Sequence, residues 1–282
     1  MTNLKISQIF IYPVKSLAGI SVEEATVTPR GLEYDRRWLL IDENGRFLSQ
    51  REHPQMALLQ THLEENFLKI THKAKEVEPL YIPLSEDGYA GKELVKAQVW
   101  DDEIDSLLFN KEADDWFSTQ LNIPCRLVYM PEKSKRKVDE RYMISEDDIT
   151  SFSDGYPVLL IGQSSLDDLN KRLSESVQIN RFRPNLVYTG GQPYEEESWY
   201  NFSAGNTSFF GVKPCSRCIM VTVDPEKGER SGKDPLYTLS TYRKIHNKVL
   251  FGQNLIPADT GKIALGDSIE VKEIREWTGP RK

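Results

Sequence analysis

Apolar and polar residues alternate with the period of a half-buried strand at both ends of the chain, and a helical period takes over only briefly between them. Lys5-Ile6-Ser7-Gln8-Ile9-Phe10-Ile11-Tyr12 predicts a strand that halts near Pro13. Residues 37–42 and 46–50 flank Glu43-Asn44-Gly45 and predict a hairpin, because Asn-Gly tolerates the positive φ angles of a tight turn. Residues 65–100 predict further short strands. From about Lys111 to Leu121 the residues Ala113, Trp116, Phe117 and Leu121 fall on one helical face, and Ile123-Pro124-Cys125 ends that helix. Arg126-Leu127-Val128-Tyr129-Met130 predicts another strand, and a soft domain boundary is placed here, giving segments 1–125 and 126–282.

In the second segment the basic cluster Lys133-Ser134-Lys135-Arg136-Lys137 reads as a solvated loop. Pro157-Val158-Leu159-Leu160-Ile161 is a short apolar strand. Ser165-Leu166-Asp167-Asp168 has capping-box spacing and predicts a helix start, with Leu166, Leu169 and Leu173 on one face. Leu186-Val187-Tyr188-Thr189 and Ile219 to Val223 predict strands, and residues 262–271 predict two more joined by a Gly266-Asp267 turn. There is no internal repeat. The expected fold class is mainly β with some α, closer to barrels than to a doubly wound parallel sheet.

Composition narrows the function. No apolar run is long enough to cross a bilayer, and Met1-Thr2-Asn3-Leu4-Lys5 does not begin a signal peptide, so no membrane role is expected. Three cysteines cannot all pair in a chain of this size, which favours a reducing, cytoplasmic setting. A net charge of -7 argues against a whole-surface nucleic-acid binder.

Candidate chemistry concentrates at Pro214-Cys215-Ser216-Arg217-Cys218. A Cys-x-x-Cys pair can serve structural zinc, but His53, His62, His72 and His246 are isolated and supply no second ligand pair. It can serve a thioredoxin-like site, but that motif opens a helix, and a β-rich run is expected here. It can be two buried thiols acting as small hydrophobes, which leaves Arg217 unexplained. Or one thiolate can bind a soft metal centre with the other as neighbour. Cationic groups recur elsewhere at strand ends. Tyr12-Pro13-Val14-Lys15-Ser16, Asp35-Arg36-Arg37-Trp38 and Asn180-Arg181-Phe182-Arg183-Pro184-Asn185 each read alone as surface charge and together as a phosphate clamp. Arg183 precedes a proline and is expected to be extended. No Walker loop or Gly-x-Gly-x-x-Gly fingerprint is present.

At these residues the chain resembles a known family. Residues 11–16, Gly31-Leu32 and Asp35-Arg36-Arg37-Trp38 are similar to the N-terminal β-barrel module that precedes MOSC domains. Ser153-Asp154, residues 181–185, Cys215-Ser216-Arg217-Cys218 and Phe251-Gly252-Gln253-Asn254 are similar to the MOSC domain itself. Their order resembles the mitochondrial amidoxime-reducing components and their bacterial relatives over nearly the whole chain. The resemblance implies a β-barrel-like N-terminal module followed by a MOSC β-barrel with flanking helices. It also implies a molybdenum cofactor (Mo-molybdopterin), with Cys218 as thiolate ligand and catalytic residue. Lys15, Ser16, Arg36 and Arg183 would contact its pterin and phosphate end, Asn185, Ser216, Arg217 and Asn254 would line it, and Asp154, Gly155 and Tyr156 would close over it. In that loop relatives carry small hydroxylated residues where this chain has Gly155 and Tyr156.

The implied reaction removes oxygen from small N-hydroxylated compounds: amidoximes, hydroxylamines and N-hydroxylated bases. Electrons would come from a separate donor, a flavin reductase, cytochrome or ferredoxin, since no cysteine follows Cys218 to hold an iron–sulfur centre and no membrane anchor is expected. The alternative implied role is a sulfur or cofactor carrier with a persulfide on Cys218.

Overall fold

A computed structural model describes residues 3–277; the extreme ends of the two expected segments lie outside them. The chain is mainly β with three α-helices among the described residues, as its periodicity predicts. A nine-stranded sheet runs in the order Ile20–Val22, Lys5–Ile11, Leu186–Thr189, Val158–Gly162, Lys248–Pro257, Thr207–Arg217, Trp199–Ala204, Ile269–Ile274, with Lys244–Ile245 added to Lys248–Pro257. It curls shut. Ile6 N–H donates to the Asp267 carbonyl at 2.9 Å, and Ile269 N–H donates to the Leu4 carbonyl at 2.9 Å, so the start of the second strand in this order meets the last. Among the described residues of this sheet only Val158–Gly162 and Leu186–Thr189 pair in parallel, and the helix Gln163–Asn170 lies between them in the chain.

The second sheet holds Trp38–Ile41, Arg126–Tyr129, Asp102–Leu108 and Leu94–Val99. Beneath it Trp38, Tyr89, Tyr129 and Phe117 share one core. Tyr89 and Tyr129 stack with centroids 4.4 Å apart, and the Trp38 indole donates to the Tyr89 hydroxyl at 2.6 Å. A separate core inside the curled sheet contains Trp199, Phe202, Phe209 and Tyr188.

Local sequence explains most elements. In Lys5–Ile11 a register shift between Ile6 and Gln8 lets Ile6 and Ile9, three residues apart, enter the same core. The helix Lys111–Leu121 is capped by Asn110, whose side chain accepts from Ala113 N–H at 2.8 Å, and it ends on Asn122 at φ 55. Ala113, Phe117 and Leu121 are buried on its inner face.

Several expectations fail for identifiable reasons. Ile219–Val223 is not a strand: Ile219–Thr222 is a 3-10 turn, because the ladder to Lys248–Pro257 ends at the Arg217–Val249 pair. Ser165 is not a helix cap. The helix begins at Gln163, and the Ser165 hydroxyl donates instead to the buried Glu196 carboxylate at 2.9 and 3.0 Å. The hairpin about Asn44-Gly45 does form, though it is short: Asp42 N–H donates to the Arg46 carbonyl and Leu48 N–H to the Leu40 carbonyl, each at 2.8 Å, around an antiparallel Ile41–Phe47 bridge. Arg136, expected in a solvated loop, is buried. Among the described residues no helix is long and apolar enough to cross a membrane.

Candidate functional site

The residues that the resemblance assigns to a cofactor line one cavity of about 250 Å³, where the N-terminal segment meets the curled sheet. Arg37 and Arg181 of the expected phosphate clamp do not join them and pair instead with Glu132 at 2.6 Å and Asp224 at 3.1 Å. Its walls carry five cations, Lys15, Arg36, Arg51, Arg183 and Arg217, against one carboxylate, Asp154.

The floor is built on a buried carboxylate. Asp35 accepts from Tyr12 N–H at 2.8 Å, from the Asn185 amide at 3.0 Å and from Arg36 Nη1 at 2.6 Å. Burial pushes the Asp35 carboxyl above its usual range, against the pull of Arg36. Arg36 also donates to the Asn185 side-chain oxygen at 3.1 Å and to the Arg183 carbonyl at 3.3 Å. Two guanidiniums lie over the Tyr12 ring, Arg36 4.4 Å and Arg183 4.2 Å from its centroid. Burial pushes the Tyr12 phenol up to about 12, so it stays neutral.

Ser16, Arg36 and Arg183 all have left-handed backbones, at φ 68, 50 and 55. Arg183 is therefore not extended as its place before Pro184 predicts. It ends the 3-10 turn Ile179–Phe182, with its N–H bonded to the Asn180 carbonyl. Such backbones cost roughly 1–3 kcal/mol each in non-glycine residues and gather where function requires them.

Cys215, Ser216 and Arg217 end the strand Thr207–Arg217, and Cys218 follows it. A register shift between Pro214 and Ser216 accommodates the proline and re-aims the side chains beyond it. Asn254 stands on the neighbouring strand, opposite Lys213. The two thiols are held differently: Arg217 Nη1 lies 3.1 Å from Cys215 Sγ, and Arg51 Nε lies 3.3 Å from Cys218 Sγ. Arg51 also donates to Asp154 at 2.5 Å, and Lys15 donates to the other Asp154 oxygen at 2.7 Å. Burial lowers Lys15 to about 8, against the attraction of Asp154. Although desolvation works the other way, Lys15 and Arg51 together hold the Asp154 carboxyl well below the usual carboxylate range.

Three contributors escaped the sequence reading. Arg51 stands in a polar run with no motif. Trp100, 4.8 Å beneath the Arg51 guanidinium, looks like an ordinary hairpin residue. Arg136, hidden in a basic cluster, spans from Asp102 at 2.7 Å to the carbonyls of Ser151 at 3.1 Å and Ser153 at 2.5 Å, and so shapes the loop that carries Asp154.

The donor set fits an anionic group carrying a soft metal. Arg183 Nη2 and Arg217 Nε are buried without a hydrogen-bond partner, and such orphaned cationic atoms are complementary to an anion. Among the described residues no group of three or more His, Cys, Asp or Glu side chains could hold a metal ion.

Comparison with known sequences gives two family matches. Residues 3–124 match the MOSC N-terminal beta barrel domain and residues 147–270 match the MOSC domain. Mitochondrial amidoxime-reducing component 1 of Mus musculus is 34% identical over 281 residues, covering 94% of this chain and 81% of that protein. The Homo sapiens protein of the same name is 33% identical over 279 residues, covering 94% and 82%. Molybdenum cofactor sulfurase of Solanum lycopersicum is 31% identical over 273 residues, covering 88% of this chain and 32% of that protein.

Proposed function

The chain belongs to the family that joins a MOSC N-terminal β-barrel to a MOSC domain, and from that premise we propose that it binds the molybdenum cofactor at Cys218 and reduces N-hydroxylated compounds. The observation that carries this reading is the pairing of a soft sulfur donor with five cations and a single carboxylate around one cavity. Lys15, Ser16, Arg36 and Arg183 hold the anionic end of the cofactor by charge and by an unpaired guanidinium N–H, and Cys218 ligates the metal. Ser216, Arg217, Asn185 and Asn254 line its length, while Asp154-Gly155-Tyr156 closes one side. When bound, the cofactor supplies two-electron oxygen removal, R–NHOH + 2e⁻ + 2H⁺ → R–NH₂ + H₂O. The electrons come from a separate redox protein. Three unpaired cysteines suit the reducing, cytoplasmic compartment that is part of the proposal.

The test is the molybdenum content of protein purified without oxygen, followed by benzamidoxime reduction with reduced methyl viologen. About one molybdenum per chain with turnover is expected. A transferable persulfide on Cys218 without molybdenum would replace this reading by the carrier role, which the name of the tomato relative favours.

A further inference from the structure

The cofactor-binding reading leaves open what surrounds the organic part of the substrate. Beside the cation-lined cavity lies a second of about 580 Å³, and the two share Trp100 and the loop Asp154-Gly155-Tyr156 as a common wall. Trp100 is the first central residue of the two-residue turn between Leu94–Val99 and Asp102–Leu108, and it sits at φ 57. Hairpin turns of this length take Gly, Asn or Asp at a left-handed position, and a bulky side chain there is strained. Turn formation alone gives no reason for an indole.

The indole is nevertheless held firmly. Its edge meets Phe47 with centroids 5.1 Å apart, and the guanidinium of Arg51 lies over it at 4.8 Å. Arg51 in turn is tied to Cys218 Sγ and to Asp154. This fixes a large aromatic surface one residue away from the proposed metal ligand, yet Trp100 remains 44% exposed. Ile219, next in the chain to Cys218, is likewise 43% exposed. The outer cavity is otherwise lined mainly by charged side chains, among them Asp101, Arg136, Asp139 and Lys213, so the half-exposed indole, with Tyr156 and Val138, supplies its apolar surface and is suited to stacking a flat group whose polar end faces the charges.

Resting on the reductase reading above, we propose that Trp100 is a specificity-determining residue that stacks the aromatic substituent of an N-hydroxylated substrate in the outer cavity. The protein therefore prefers aryl over small alkyl amidoximes. Loaded enzyme with reduced methyl viologen is assayed on benzamidoxime and acetamidoxime. Trp100→Leu is expected to raise KM for benzamidoxime about fivefold more than KM for acetamidoxime, and Trp100→Phe should recover most of that difference. Benzamidine binding, measured calorimetrically on the same proteins, should weaken and recover in parallel. Equal KM changes for both substrates, or no rescue by Phe, overturn the proposal. Failure of the wild-type protein to reduce either amidoxime instead overturns the reductase reading, and benzamidine binding unaffected by Trp100→Leu still overturns the role of Trp100.

Discussion

The two ends of one pair of parallel strands handle buried charge in opposite ways. At the ends of Val158–Gly162 and Leu186–Thr189, Glu196 is fully buried and accepts from Gly162 N–H at 3.1 Å, Ser165 Oγ at 2.9 Å and Tyr188 Oη at 3.1 Å. Every donor has its acceptor, and the helix Gln163–Asn170 is pinned to the sheet. At the other ends, where Leu159 and Asn185 line the cavity, cations outnumber carboxylates and Arg183 keeps a buried N–H without a partner. Three residues there also hold left-handed backbones. A closed polar network stabilises a fold, whereas an open one costs stability and persists where a ligand completes it.

The largest effect expected is on the open side. Cys218→Ala should lower benzamidoxime turnover roughly a thousandfold, about 4 kcal/mol of transition-state stabilisation, with loss of molybdenum. Cys215→Ala should cost less than about tenfold. Comparable losses in steady-state assays of the two variants would turn the pair back into a thiol–disulfide motif and break the contrast.

On the closed side Glu196→Ala strands three donors and should destabilise the protein by about 3 kcal/mol in urea unfolding. Burial pushes the Glu196 carboxyl up to about 7. The fold therefore favours its protonated form; that contribution is complete below the ordinary glutamate range, near 4.5, and is lost as pH rises through 7. Its full size is about 3 kcal/mol. Wild-type stability measured at pH 5 and at pH 8 should fall more steeply than that of Glu196→Gln, whose amide does not titrate; equal slopes would remove Glu196 as the cause.

The smallest effect sharpens the comparison. Arg183→Met keeps an unbranched stem against Tyr12 but removes a buried charge with an unpaired N–H. The metal-free variant should melt no lower than wild type, while cofactor retained through purification falls about tenfold, or ~1.4 kcal/mol. A clear drop in the melting temperature of the metal-free protein would make Arg183 part of the scaffold instead.

Elements with strong local signals were legible in the chain. The helix Lys111–Leu121 has an apolar face and an Asn cap, and the strand before Pro13 is rich in isoleucine and then meets a residue that cannot continue a ladder. The polar residues that line the cavity stand in short motifs at Lys15-Ser16, Arg183 to Asn185 and Cys215 to Cys218, each of which reads alone as surface charge or an ambiguous thiol pair and was singled out by the family resemblance. Ile219–Thr222 was misread because β-branched composition predicts a strand only while a partner strand remains, and the partner ends opposite Arg217. Ser165 was misread because its hydroxyl found a buried carboxylate from another segment before it could cap a helix.

By itself, then, the sequence determined the β-rich class, the helix near its middle and the residue types able to hold an anionic, soft-metal group, since periodicity and side-chain chemistry are local properties. Only the tertiary structure decided that Arg51 reaches Cys218, that Arg136 turns inward to shape the Asp154 loop and that Trp100 lines the wall between two cavities. Those placements depend on contacts between residues distant in the chain, and no local pattern encodes which polar side chain burial will select.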